Sequence, residues 1–105
     1  MDVLHDFGIF RTPGGEAFHA RACGVAMDDG LWHGWLEFEP LEGGGAPVLR
    51  SPRETTQPNR TDAVYWATGL SAVYLEGALE RAIRAETEPA PLTVADLDDL
   101  STTEP

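Results

Sequence analysis

The sequence predicts an α+β fold: an antiparallel meander of three to four strands, followed by a short helix and a longer helix packed on one sheet face. Three observations predict it. Two apolar runs meet at Asp28-Asp29-Gly30, and an Asp-Gly pair between such runs is a strong hairpin signal. The stretch from Leu31 to Phe38 alternates with period two. Leu75, Leu79 and Ile83 recur every four residues, with Ala72, Ala78 and Ala82 beside them, as on the buried face of a helix.

The elements follow in order. A first strand is expected over about Phe7 to Thr12, with Phe7 and Ile9 alternating against Gly8 and Phe10. Pro13-Gly14-Gly15 turns the chain, since proline presets its own φ and glycine accepts a positive one. A second strand covers about Glu16 to Met27. The Asp-Gly turn after it suits type I′, whose central residues both need positive φ. In the third strand, Trp32, Gly34, Leu36 and Phe38 share the core face. His33, Trp35, Glu37 and Glu39 then share the solvent face. Pro40 ends this strand. Val48 to Arg50 forms a short fourth strand, which Pro52 either ends or confines to an edge.

The polar stretch from Ser51 to Thr61 reads as an ordered loop leading into a helix over about Asp62 to Thr68. Thr61 or Asp62 is its N-cap and Gly69 its C′ stop. Ser71 caps the second helix, about Ala72 to Glu86. Glu76, Glu80, Arg81 and Arg84 face outward, and the helix-interior Gly77 points to close packing. Residues 1–86 form one domain. Residues 87–105 form an acidic, largely flexible tail in which Thr93-Val94-Ala95-Asp96 could cap one short turn.

Composition narrows the function classes. The chain has 105 residues and a net charge of −11, from 18 acids against 7 bases, all of them arginine. Six of those acids and none of the bases fall in residues 86–105, so the folded body is only moderately charged. Direct binding to nucleic acid needs a basic footprint, which is missing. The lack of lysine beside plentiful Ala, Gly, Asp, Pro and Arg matches the output of a GC-rich bacterial genome. Met1 to Asp6 lacks the basic start of a secretory signal, and no apolar run approaches the roughly 20 residues of a membrane span. A cytoplasmic setting with no membrane contact is the expectation.

No motif implies a cofactor, a metal or a catalytic set. His19, Cys23 and His33 do not converge on a tetrahedral zinc geometry. His19 lies four residues from Cys23 along one strand, about 13 Å away, too far to activate it. The candidate binding residues are instead of two kinds. Trp35 and His33 form an aromatic feature on the solvent face of the sheet, where an exposed Trp marks a contact surface unless a helix or a neighbouring loop covers that face. Arg53, Glu54, Thr56, Gln57, Asn59 and Arg60, with Trp66 nearby, could line a pocket. The competing reading is that these polar groups satisfy backbone groups at the crossing from sheet to helix.

The run Arg53-Glu54-Thr55-Thr56-Gln57-Pro58-Asn59, with Tyr65-Trp66-Ala67, Gly69-Leu70 and Tyr74-Leu75-Glu76-Gly77-Ala78-Leu79, resembles a small bacterial protein family of uncharacterised function. The resemblance covers about Phe7 to Ile83. It implies that the loop and the two helices form a unit, and no activity.

The leading functional expectation is a non-enzymatic interaction module, an accessory or adaptor that binds a protein partner or pairs with itself as a homodimer. A small-ligand binder or enzyme using the polar 53–61 stretch is the second reading. An acidic nucleic-acid mimic, with carboxylates arrayed on one rigid face, is the third.

Overall fold

The computed structural model describes residues 1–42 and 44–87. Five strands precede two helices: β1 (Asp2–Arg11), β2 (Ala17–Ala26), β3 (Trp32–Pro40), β4 (Leu49–Arg50), β5 (Thr55–Gln57), α1 (Arg60–Thr68) and α2 (Ala72–Thr87). The sheet is antiparallel in the order β1-β2-β3-β4, and β5 also pairs with β3. The α+β class and the helices on one sheet face are as the sequence predicts.

Both hairpins close with the same three-residue loop. In the first, Thr12 N donates to Glu16 O and Gly15 N to Thr12 O; in the second, Met27 N donates to Leu31 O and Gly30 N to Met27 O. The last loop residue is a glycine at positive φ each time, Gly15 at +91° and Gly30 at +86°. This is a type I turn followed by a left-handed residue. The expected type I′ turn is corrected, because among the described residues no non-glycine residue has positive φ and Asp29 therefore cannot supply one. The β2–β3 register pairs Ala26 with Trp32, Val25 with His33 and Cys23 with Trp35.

β1 begins at Asp2, earlier than Phe7, and two irregularities break its pairing, between Val3 and His5 and between Asp6 and Gly8. Each extra residue shifts the period-two pattern. Phe10 is consequently in the core while Ile9 is exposed.

The fourth strand is an interrupted edge. β4 pairs with Glu37 and Phe38, and β5 with Trp32 to Gly34. Between them Ser51 stays bound to β3: its N donates to Leu36 O, and Leu36 N donates to its Oγ. Pro52 and Arg53 bulge out, and Glu54 N returns to Gly34 O. Proline has no N–H to give a ladder, so an edge bulge is where it fits. Within the loop expected over 51–61, Thr55–Gln57 thus form a strand, and α1 already begins at Arg60.

Asn59, rather than Thr61 or Asp62, caps α1: its Oδ1 accepts from Asp62 N at 2.8 Å. Gly69 ends α1 in a right-handed conformation, at φ −91°, not the left-handed one expected of a C′ glycine. Ser71 caps α2 as predicted, with Oγ accepting from Tyr74 N.

The core lies between the helices and one sheet face. Leu75, Ala78, Leu79 and Ala82 of α2 and Ala63 and Ala67 of α1 cover Phe10, Phe18, Ala20, Ala22, Leu36 and Phe38. Gly77 is not a close-packing point. A Cβ there would meet the Arg81 guanidinium at 3.2 Å, so Arg81 folds back along the helix instead of facing outward. The expected tail over 87–105 and its capping turn lie outside the described residues, apart from Thr87.

Candidate functional site

The sheet face opposite the helices carries a closed polar chain. Trp35 Nε1 donates to Glu37 Oε2 at 2.9 Å, and the other Glu37 oxygen lies 3.4 Å from Arg21 Nη2. Arg21 Nη1 reaches Glu39 at 4.0 Å, Glu39 lies 3.9 Å from His19 Nδ1, and His19 Nε2 donates to Asp6 at 2.8 Å. The backbone N–H of Gly8 and His19 together hold the Asp6 carboxyl below its ordinary pKa. Arg50 stacks on the indole of Trp35, 4.0 Å from the ring centroid.

This chain overturns the expectation of an exposed Trp35. The residue does face away from the helices, but it is only 5% exposed. A guanidinium on one face and a carboxylate on its N–H cover it without any covering helix. His33 stays half-buried beside it, with Thr56 opposite on β5. Glu37, expected on the solvent side, is buried.

The polar 53–60 stretch does not converge on a pocket. Glu54 turns inward, its side chain 5% exposed, and accepts from Tyr74 Oη at 2.7 Å and from Arg81 Nη2 at 2.6 Å and Nε at 3.0 Å. Burial raises the Glu54 pKa, but the bonds from Arg81 and Tyr74 outweigh it and leave it below the usual value. Gln57 donates to Thr55 Oγ1, Asn59 caps α1, and Arg60 pairs with Asp2 at 2.9 Å. Arg53 and Thr56 are exposed. Trp66 lies over Gly34, where a Cβ would come within 2.9 Å of its Cζ3. The structure places these residues at the seams between sheet and helices.

Cys23 is fully buried next to Trp35, and its thiol is pushed up to about 11, by burial first and then by the Glu37 charge. A thiol so protonated is a poor nucleophile. Among the described residues, no three His, Cys, Asp or Glu side chains group closely enough to hold a metal ion. No described helix is long and apolar enough to cross a membrane.

The concave site is elsewhere. Leu75 and Leu79 are buried under the sheet, but Ile83, the next residue of the same stripe, is 40% exposed. The apolar stripe of α2 outruns the strands it covers. Beyond that point Phe18, Pro40, Pro47, Leu49 and Ile83 line a groove of about 580 Å³, within the range typical of binding clefts. Glu16, Glu42 and Glu86 stand on its rim, and no arginine lines it. Sequence reasoning assigned Ile83 to the buried stripe and missed this groove. The signal was the length of the stripe against the position of Pro40, which ends the sheet beneath it.

No protein-family model, curated protein or solved structure matches this chain.

Proposed function

We propose that the chain is a small non-enzymatic protein-interaction module, an accessory or adaptor of a bacterial cytoplasm, that receives a partner's side chains in the groove at the end of α2. The observation that carries this reading is the unfinished apolar stripe. Ile83 continues Leu75 and Leu79 past the sheet and, with Phe18, Pro40, Pro47 and Leu49, leaves apolar surface in a concavity. Apolar concave surface of this kind is where partners gain binding energy.

Two further features support the reading. The groups best suited to chemistry are engaged elsewhere, Glu54 with Arg81 and Tyr74, and His19 with Asp6. Around Trp35 the free face of the sheet is closed by Arg50 and Glu37, which leaves the groove as a better docking surface than Trp35. The likeness of the Arg53 to Leu79 segments to a bacterial family of uncharacterised function belongs to the same proposal.

Site-specific photocrosslinking tests it. A benzophenone amino acid at Ala46, on the groove, should give a discrete adduct with one partner in native cells, and the same probe at the exposed Tyr65 should not. The purified partner should then bind Ile83→Asp at least about tenfold more weakly than the native chain, a loss of about 1.4 kcal/mol. Adducts of equal yield from both positions, or none from Ala46, would refute the reading.

A further inference from the structure

We infer that the segment received by the groove is basic as well as apolar, a stretch of partner protein in which arginine or lysine accompanies large apolar side chains. This rests on the docking reading above and names its partner chemistry.

The argument is one of charge. Three carboxylates, Glu16, Glu42 and Glu86, border the groove. All three are exposed and none makes an ion pair among the described residues; the other described carboxylates without one, Asp28, Asp29, Asp62, Glu76 and Glu80, do not line the groove, and Asp2, Asp6, Glu37, Glu39 and Glu54 each face a cation or histidine. Unneutralised charge of one sign around an apolar floor attracts the opposite sign and repels its own.

Two other occupants fare worse on the same ground. The 18 residues after Thr87 contain Leu92, Val94, Leu97 and Leu100, but also five acids and no base. They would bring like charge to an acidic rim. A second copy would bring a further −11, and a self-complementary contact here would set carboxylate against carboxylate. A basic apolar segment satisfies both the floor and the rim.

Selection from a display library of short random peptides tests this directly. The full chain serves as bait, and binders that also hold Ile83→Asp are removed by counter-selection. Peptides that survive should combine arginine or lysine with apolar residues. Their affinity should fall about tenfold in the triple variant Glu16→Gln, Glu42→Gln, Glu86→Gln, and it should fall with added salt in the native chain more than in the triple variant. All three substituted positions are exposed, so this variant is expected to fold.

Surviving peptides that are apolar but uncharged, and indifferent to the triple variant, would overturn the basic partner while leaving the docking groove standing. No peptide distinguishing the native chain from Ile83→Asp would overturn both. A dimer in light scattering that Ile83→Asp dissolves would assign the groove to a second copy and overturn the inference. A rise of tenfold or more in affinity for uncharged apolar peptides after removal of residues 88–105 would assign it to the chain's own continuation, with the same result.

Discussion

Arg81 donates to both carboxylate oxygens of Glu54 across 27 positions of sequence, at 3.0 Å from Nε and 2.6 Å from Nη2. The pair ties the broken edge strand to α2. Its two ends are unequal, because the Glu54 side chain is buried and that of Arg81 is 40% exposed. Arg81→Ala strands a buried carboxylate, and Glu54→Gln leaves a guanidinium that can reach water. Urea denaturation near neutral pH should show a loss of about 2–3 kcal/mol for Arg81→Ala and about 1 kcal/mol for Glu54→Gln. Equal losses would mean that the carboxylate is better hydrated than its burial implies.

The same pair makes stability depend on pH at the acid end. The folded pKa of Glu54 is depressed below its unfolded value. Its contribution is therefore present above the unfolded pKa, near 4.3, and is lost as pH falls through the folded pKa. Unfolding free energy should decline over that acid window in the native chain and decline less steeply in Glu54→Gln. At the basic end, burial and then Glu54 push the Tyr74 phenol up to about 12. A spectrophotometric titration should show one phenol ionising near that value, and Tyr74→Phe should remove that step.

Cys23 reports on the closed polar chain above it. With the thiol buried and its pKa raised to about 11, a disulfide exchange reagent should react with the native protein far more slowly than with the guanidinium-unfolded chain. Arg50→Ala removes the group stacked on Trp35 and should speed that reaction. The same variant should shift Trp fluorescence to longer wavelength and cost about 0.5–2 kcal/mol. Unchanged thiol reactivity in this variant would show that Arg50 is not the cover.

Gly34 marks where α1 presses on the sheet. A Cβ there would fall 2.9 Å from Trp66 and 3.0 Å from Thr55, with packed atoms on both sides. Gly34→Ala should therefore cost about 1–3 kcal/mol in overpacking. Pairing it with Trp66→Phe should recover part of that loss in a double-mutant cycle. Additive losses would remove Trp66 as the obstacle.

The helix stripe, the two hairpins and the Ser71 cap were legible in the sequence because each rests on local chemistry. Leu75 and Leu79 are spaced for one helix face, and Gly15 and Gly30 stand where a turn needs positive φ. β1 was half hidden because two bulges break its alternation, and β5 was hidden because polar residues fill an edge strand. For the candidate site the reading was weaker. Trp35 was placed on the correct face and given the wrong exposure. Its cover comes from Arg50, brought beside it only when β4 pairs with β3. Glu54 and Arg60 stood in the polar run as free groups, and their partners Arg81 and Asp2 lie 27 and 58 residues away.

By itself the sequence determined the α+β class, the meander, the order of the elements and the absence of a basic footprint, because periodicity, turn residues and charge act over short range or over the whole chain. Only the tertiary structure decided which side chains are free. Burial depends on what lies opposite, and that is set by strand register and by how far a helix overhangs its sheet. Ile83 has the spacing of a core residue, yet it is 40% exposed because the sheet ends before it does. The groove follows from that difference in length, which no single segment records.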